Sequence, residues 1–156
     1  MANVSIVILN WNTSRDTVEC LNSIKRQSYK DYEIVLVDNG SKNEDYMSLK
    51  RYVSNARMKT RLFKLKKNIG FTGASDYGLR RSRGNYILFL NNDTIVDKNF
   101  IKELLAPFKR YENVGATVPK LFFYKEGKTR TLQHGGSKLT YYGMAVDEAN
   151  RIYVAD

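Results

Sequence analysis

Apolar positions along the chain fall into short, dense blocks separated by longer mixed segments. Runs rich in Val, Ile and Leu at 4–9, 32–37 and 86–90 predict strands that are buried on both faces. A shorter run at 61–65 predicts another strand, and 114–118 predicts a fifth. After residue 118 the pattern loosens, and 119–124, 129–137 and 141–144 predict short strands joined by turns.

Helices are predicted between these strands. Apolar side chains at helical spacing mark three of them: Val18, Leu21 and Ile24; Tyr46, Leu49, Tyr52 and Val53; and Phe100, Leu104, Leu105 and Phe108. The first is capped by Thr13 or Ser14 and ends near Gln27. The glycine-rich segment 68–78 opens a further helix that ends near residues 83–84.

The alternation of strands and helices predicts an α/β fold, with a mostly parallel sheet covered by helices on both faces. Ligands of such sheets bind outside the carboxyl ends of the strands. The segments expected at that edge, 10–12, 38–41, 66–70 and 91–93, are all polar. We therefore expect a single domain, residues 1–156, with a β/α core to about residue 118 and a binding site at this edge.

The net charge of +10 allows several interpretations. A solvated basic surface, an anionic membrane surface and phosphorylated small molecules would each account for it. Nucleic acid has only the charge in its favour, because neither zinc-finger spacing nor an RNA-binding aromatic signature is present. We expect no nucleic-acid partner and a peripheral membrane contact at most.

Several features of the chain bear on its location. It has no run of 18 apolar residues, and its first apolar run lacks a preceding basic segment, so a strand is expected there and not a signal peptide. The single cysteine, Cys20, fits a reducing compartment and is expected to be a small core residue. A cytoplasmic protein, either free or at the inner face of the membrane, is the expectation.

Two aspartates end predicted strands, and each has two interpretations. Asp93, in Asn-Asn-Asp, is either an oxygen ligand for Mg²⁺ or Mn²⁺ or simply the start of the next element. Asp38, in Asp-Asn-Gly-Ser, either accepts hydrogen bonds from a nucleobase or ribose or closes an Asx-turn on its own backbone.

The roles of the other candidate residues are also undecided at this point. Gly70, Gly73 and Gly78 either let a phosphate approach the start of a helix or allow close helix–sheet packing. Trp11 either lines a cleft or belongs to the core. His134, the only histidine, is expected to be a polar loop residue, with a role at a phosphate left open.

Taken together, four ordered motifs resemble the donor-binding part of family 2 glycosyltransferases, which have a GT-A fold. They are VSIVILNWNT, YEIVLVDNGS, NIGFTGASDYGLRRSRGNYILFLNNDTIVD and GATVPKLFFYKEGKTRTLQHGG. The last is similar to the rhamnosyltransferase-like branch of the family. The resemblance runs from about residue 4 to about residue 136.

The resemblance implies roles for particular residues. It places Asn10, Trp11, Asn12, Asp38 and Asn39 beside the base and ribose of a nucleotide, and Gly70, Phe71, Asn91 and Asn92 along the nucleotide cleft. Asp93 matches the last Asp of the Asp-x-Asp metal motif, with Asn91 at its first position. Because Asn91 is neutral, weaker binding of Mg²⁺ or Mn²⁺ is expected than with two carboxylates.

The implied activity is transfer of a sugar from a UDP- or dTDP-linked donor to a glycan or lipid-linked acceptor, with inversion. The general base is expected beyond Asp156, so the chain is expected to be an incomplete part of the enzyme that is weakly active or inactive alone. A non-catalytic nucleotide-binding or interaction module is the alternative. Apolar surface left uncovered by the missing part makes a homodimer a further expectation.

Overall fold

Strands and helices alternate along the first part of the chain, in a computed structural model that describes residues 2–124, 128–134, 137–139 and 145–147. The elements are β1 (Val4–Asn10), α1 (Ser14–Lys25), β2 (Tyr32–Asp38), α2 (Asn43–Asn55), β3 (Thr60–Lys64), α3 (Gly70–Leu79), β4 (Tyr86–Leu90), α4 (Phe100–Arg110), β5 (Leu121–Tyr124), β6 (Lys128–His134), β7 (Ser137–Leu139) and β8 (Ala145–Asp147). The predicted α/β class is confirmed.

The first four strands form one parallel sheet in the order β3-β2-β1-β4. β1 pairs with β2 in a register that sets Asn10 beside Asp38 at their carboxyl ends. On its other side β1 pairs with β4, Ile8 beside Leu90. Since all four strands run in the same direction, the polar segments that follow them lie along one edge of the sheet, as predicted.

The sheet is covered on both faces. On one face Val7, Val35 and Val37 pack against Ala74 of α3. Strand residues alternate in direction, so Ile6, Ile8, Ile34 and Leu36, all fully buried, point to the other face. There α1 and α2, which contact each other, contribute the buried residues Leu21, Ile24 and Leu49. Cys20 is buried with them, which confirms its expected place in the core.

The amino ends of the strands carry a buried polar network. Glu33 accepts hydrogen bonds from Ser5 Oγ (2.8 Å) and the Arg83 backbone N–H (2.9 Å), and it forms an ion pair with Arg61 (3.1 Å). Ser5 Oγ also accepts from the Gly84 N–H at 2.8 Å. α3 ends at Leu79 and not near residues 83–84 as predicted. The N–H groups of Arg81 and Ser82 donate to carbonyls three residues back and not four, and the donors of residues 83–84 are taken by Ser5 and Glu33.

Backbone contacts divide the chain into two compact units, Met1–Ile101 and Lys102–Asp156. In the second, β5 pairs with β6 and β7 with β8, both antiparallel. The predicted short strands at 119–124 and 129–137 correspond in part to β5, β6 and β7, whereas 141–144 lies outside the described residues. His134 ends β6.

The prediction of a fifth strand at 114–118 is wrong. The segment follows Asn113, whose φ of 66° turns the chain, and it pairs with no strand among the described residues. Val118 stays 65 % exposed, and Thr117 Oγ1 donates to the Leu104 carbonyl at 3.0 Å. An apolar run becomes a strand only where a neighbouring strand supplies a ladder, and this run has none in the described structure.

Within the described part of the chain, no helix combines the length and the apolar character that a membrane span requires.

Gly78 fixes how closely α3 approaches the sheet. A Cβ at this position would lie 2.5 Å from Val7 Cγ1. We expect Gly78→Ala to lower the free energy of unfolding by about 1–3 kcal/mol, because helix and strand must separate. Urea unfolding monitored by circular dichroism measures this.

Gly73→Ala is the matched control for Gly78→Ala. Its Cβ would meet only the flexible Ile69 side chain, at 3.3 Å, and alanine favours a helix by up to about 1 kcal/mol. Equal losses of stability in the two variants would contradict the packing argument.

Candidate functional site

A cavity of about 450 Å³ lies at the carboxyl edge of the parallel sheet. Seven of the predicted site residues line it: Asn10, Trp11, Asn39, Gly70, Phe71, Asn91 and Asn92. The motif residues of separate segments therefore meet in one place. Trp11 is 55 % exposed and Phe71 68 % exposed, so both are cleft residues and neither belongs to the core.

Asn10 organises the wall of the cavity. Its side chain is fully buried, and Nδ2 lies 2.9 Å from Asp38 Oδ1, 2.8 Å from Asp45 Oδ2 and 3.1 Å from Ser41 Oγ. Its Oδ1 accepts a hydrogen bond from Thr17 Oγ1 at 2.8 Å. One amide thus ties the end of β1 to the β2–α2 connection and to α1.

Asp38 belongs to the same hydrogen-bond network as Asn10. It is fully buried and does not line the cavity; its Oδ2 accepts the Ser41 backbone N–H at 3.2 Å. That bond across three residues is the turn-closing role that the sequence left open. Its role at a nucleobase stays a prediction.

Asn12 also acts on the backbone. It has a φ of 57°, and its Oδ1 accepts the Lys42 N–H at 2.8 Å. Like Asp38, it holds the loops that form the cavity, and it is not among the lining residues.

Sequence reasoning missed Asp45, which sits in the first turn of α2. Besides binding Asn10, its Oδ1 accepts the Ser14 N–H at 2.8 Å, so it caps α1 from another helix while the N-cap residue Thr13 makes no side-chain cap. Burial raises the pKa of the Asp45 carboxyl, but hydrogen bonds from Asn10, Ser14 and Ser41 outweigh burial and lower that pKa overall. Nothing in the spacing of Asp45 singles it out, because its partners are distant in sequence.

Asn39 joins the second and third loops. Its Oδ1 accepts the Ile69 N–H at 3.0 Å, and its Nδ2 donates to Asn68 Oδ1 at 3.0 Å and to the Gly70 carbonyl at 3.2 Å. Gly40 allows this contact, since a Cβ there would overlap the Lys67 carbonyl carbon. The segment before α3 is therefore held against the end of β2.

The sequence left two roles open for the glycines of α3, phosphate approach and helix–sheet packing, and the structure is consistent with a different one for Gly70 and for Gly78. Gly70 has a φ of 79°, lies at the start of the helix and lines the cavity, and a Cβ added to it would meet no atom within 4 Å. Gly78 provides the helix–sheet packing described above. The start of α3 thus faces the cavity without a side-chain cap from its N-cap residue, Ile69.

The Asn-Asn-Asp segment after β4 supplies both structural and free oxygen atoms. Asn92 Nδ2 donates to Thr13 Oγ1 at 2.7 Å and to Thr17 Oγ1 at 2.8 Å, which fixes the segment to α1. Asn91 and Asp93 are exposed, and the Asp93 carboxylate makes no hydrogen bond or ion pair to the side chains described.

This donor set fits a divalent cation in part. The residues described contain no cluster of three or more His, Cys, Asp or Glu that would hold a metal unaided. Mg²⁺ and Mn²⁺ sites that bind through one or two protein oxygens and the phosphates of a substrate need no such cluster. Asp93, with Asn91, is suited to that mode of binding.

Cys20 is buried next to this segment, and its thiol is unreactive. Burial raises the pKa of its thiol to about 11; Thr94 opposes that shift by hydrogen bonding, and the Asp93 charge adds to it. The thiol is therefore neutral at physiological pH and is no nucleophile.

Known proteins share both the sequence pattern and the fold of this chain. The pattern of the family described as Glycosyl transferase family 2 matches residues 5–153. The chain belongs to this family. Among its relatives is the glycosyltransferase GlyG of Streptococcus pneumoniae serotype 4, 26 % identical over 134 residues that cover 80 % of this chain and 44 % of GlyG.

Solved structures show the same GT-A fold. S. aureus TarS 1–349 in complex with UDP-GlcNAc aligns with a TM-score of 0.63 at 22 % identity, over 80 % of this chain and 39 % of TarS. The mannosyltransferase PcManGT of Pyrobaculum calidifontis, in complex with GDP-Man and Mn²⁺, aligns with a TM-score of 0.54 at 21 % identity, over 58 % of this chain and 27 % of PcManGT. The chain thus spans less than half the length of each of these proteins.

Asp45→Asn tests the capping role of Asp45. Whichever way the new amide is turned, its NH₂ group faces a donor, either Asn10 Nδ2 or the Ser14 N–H. We expect the free energy of unfolding to fall by about 1–2 kcal/mol. We also expect Trp11, the only tryptophan, to become more accessible to acrylamide quenching in the folded protein, because its loop is held by these bonds.

Glu44→Gln is the control for Asp45→Asn. It removes a charge from an exposed side chain in the same helical turn and should change stability by no more than about 0.5 kcal/mol. If both variants leave Trp11 quenching at the wild-type value, Asp45 does not position the loop.

The low pKa of Asp45 also predicts a pH dependence. A carboxyl whose pKa is lower in the folded than in the unfolded chain stabilises fully above its unfolded pKa, about 4. That contribution is lost as the pH falls through the lower, folded value. The difference in unfolding free energy between wild type and Asp45→Asn should therefore shrink as the pH falls below about 4. A difference that is constant from neutral to acidic pH would contradict this.

Proposed function

We propose that the chain is the donor-binding part of a glycosyltransferase that moves a sugar from a nucleoside diphosphate sugar to an acceptor hydroxyl. The observation that carries the proposal is the cavity at the carboxyl edge of the sheet, where the motif residues of separate segments meet. Its size, about 450 Å³, is in the range of small-molecule sites. The UDP-GlcNAc bound by TarS and the GDP-Man bound by PcManGT support this class of donor.

The lining suits a nucleotide chemically. Asn10 and Asn39 are buried and their amides are bonded to the protein, so they fix the wall of the cavity before a ligand arrives. The exposed amide of Asn68, which Asn39 orients, is accessible to a ligand. Trp11 and Phe71 offer exposed aromatic surface, on which a base could stack. We assign the base, uracil or thymine, to this wall of the cavity.

The diphosphate is assigned to the start of α3 and to the Asn-Asn-Asp segment. The Gly70 N–H donates to Asn68 Oδ1 at 2.8 Å, so the phosphate is assigned to the next N–H groups of the helix, which have no partner within it. Gly70 leaves room for the phosphate to approach them. Asp93 and Asn91 would hold Mg²⁺ or Mn²⁺, which when bound neutralises the negative charge that grows on the departing diphosphate.

In the proposed reaction, the acceptor oxygen forms a bond to the anomeric carbon as the bond from that carbon to the diphosphate breaks. Attack from the face opposite the diphosphate inverts the configuration, and the acceptor proton passes to a carboxylate. The residues described that line the cavity include no carboxylate, and we assign the general base to none of them. The acceptor, a glycan or lipid-linked sugar, the cytoplasmic location and a homodimer stay predictions.

The absence of a carboxylate from the described lining also supports a second candidate: a module that binds a nucleotide sugar without catalysis. Sugar transfer or donor hydrolysis measured with the purified chain tests this second candidate. Turnover would exclude the binding-only module. Donor binding without turnover fits that module and also fits an enzyme part that lacks its general base.

Calorimetric titration with UDP and dTDP, with and without Mn²⁺, tests the proposed site. We expect binding of at least one nucleotide to strengthen with Mn²⁺, and Asp93→Ala to weaken the Mn²⁺-dependent binding by about tenfold or more, a loss of about 1.4 kcal/mol. The reason is that Asp93 supplies the one free carboxylate of the proposed metal set.

Glu19→Gln serves as the control for Asp93→Ala, because it removes another exposed carboxylate, on α1. Nucleotide binding that is equal in both variants would overturn the metal assignment. No binding of either nucleotide by the wild type would overturn the assignment of the cavity.

A further inference from the structure

The charge of the first unit is distributed unevenly between the two edges of the sheet. At the amino edge, the segments 25–33, 57–61, 76–83 and 97–99 contain ten Lys and Arg and four Asp and Glu. At the carboxyl edge, the segments 10–16, 38–45, 64–70 and 91–94 contain five of each. The excess of positive charge in this unit is therefore concentrated at the edge opposite the candidate site.

Backbone hydrogen bonds join the segments of the amino edge into one surface. The Asp31 carbonyl accepts the Val4 N–H at 3.2 Å, and the Lys59 carbonyl accepts the Ile34 N–H at 2.8 Å. The Lys98 carbonyl accepts the Ser28 N–H at 2.7 Å. Together with the Arg83 N–H on Glu33, these bonds fix the four segments relative to one another.

Most of the cations on this surface are not neutralised. Of the nearby carboxylates, Glu33 is taken by Arg61 at 3.1 Å and Asp76 by Arg80 at 2.8 Å. Other cations of the amino edge are exposed and form no ion pair with the residues described, among them Lys25, Arg26, Lys30, Arg57, Lys59 and Arg83. An open cavity of about 440 Å³ lies at this edge, and its lining includes three cations, Lys59, Arg61 and Arg83. It also includes two carboxylates, Asp31 and Glu33, of which Glu33 is paired with Arg61.

We infer that this amino edge, defined by segments 25–33, 57–61, 76–83 and 97–99, docks on an anionic lipid bilayer. Clustered Lys and Arg are attracted to the phosphates of such a surface, and the cavity has room for a headgroup. The inference does not rest on the proposed function, because it uses none of the residues of the candidate site.

A bilayer fits this surface better than a nucleic acid does. None of the aromatic side chains in the four segments is exposed: Tyr29 and Tyr77 are half-buried and Tyr32 is buried. Single-stranded nucleic acid is bound largely by stacking of its bases on aromatic rings, which this edge does not offer. The unpaired cations of this edge lie instead in three separate helix–strand connections. Such a spread of charge is suited to a broad, flat anionic partner.

The test compares two variants of equal charge. In the amino-edge variant Lys30, Arg57, Lys59 and Arg83 are all changed to Gln. In the control variant Lys42, Lys50, Lys66 and Lys67, exposed residues outside the amino edge, are changed to Gln. The two proteins have the same net charge, so any difference between them reports where the charge lies.

Binding is measured by co-sedimentation with phosphatidylcholine vesicles that contain one-third phosphatidylglycerol, at about 0.1 M salt, where screening acts over about 10 Å. We expect wild type to bind these vesicles and not pure phosphatidylcholine. The amino-edge variant should bind at least about tenfold more weakly than wild type, and the control variant within about threefold. Circular dichroism checks that both are folded; the side chains changed in the amino-edge variant make no hydrogen bond in the described structure.

Three results would overturn the inference. Wild type that does not bind the anionic vesicles excludes the bilayer. Equal losses in the two variants would show an effect of net charge alone. Binding to single-stranded RNA that depends on the amino edge, without binding to vesicles, would assign the surface to a nucleic acid.

Discussion

The candidate site depends on one buried amide. Asn10 ends the central pair of strands, and its side chain is held between the carboxylates of Asp38 and Asp45 while it accepts the Thr17 hydroxyl. A fully buried amide in a low-dielectric environment is costly unless its donors and acceptor are satisfied, and here they all are. The same bonds that satisfy Asn10 position α1, the β2–α2 turn and the loop that carries Trp11. The shape of the cavity and the stability of this end of the sheet therefore have a common origin.

Much of the fold follows from the sequence because its strongest signals are local. Strands β1, β2 and β4 coincide with dense apolar runs, and Val18, Leu21 and Ile24 lie on α1 as predicted. The expectation that β4 is buried on both faces is wrong: all its residues are at least partly accessible, and Phe89 is 51 % exposed. The segment 114–118 carries the same kind of signal and forms no strand, because pairing depends on a neighbour that the run does not encode. The predicted end of α3 is wrong for a related reason: Ser5 and Glu33, far away in sequence, take the donors of residues 83–84.

The candidate site is predictable from the sequence to about the same extent as the fold. Parallel topology alone brings Asn10, Asn39, Gly70 and Asn91 to one edge, and all four line the cavity. Motifs do not reveal which of the neighbouring polar residues support the loops and which face the ligand. Asp38 and Asn12 bond to the protein, and Asp45 escapes prediction although it touches two of the segments. Such assignments require the three-dimensional partners of each oxygen and nitrogen atom.

The strand order β3-β2-β1-β4 also has a consequence for how the chain folds. β1 finds its first neighbour, β2, about 28 residues later, but its second, β4, about 82 residues later. During synthesis from the amino terminus, β1, β2 and β3 can pair while one side of β1 is still open. The last step closes a long loop, and it also brings Gly84 against Ser5, where a Cβ would lie 2.6 Å from the Ser5 nitrogen. Arrival of β4 therefore adds the fourth strand of the described sheet and the part of the cavity wall formed by Phe89 and Leu90, so the candidate site takes shape late in folding.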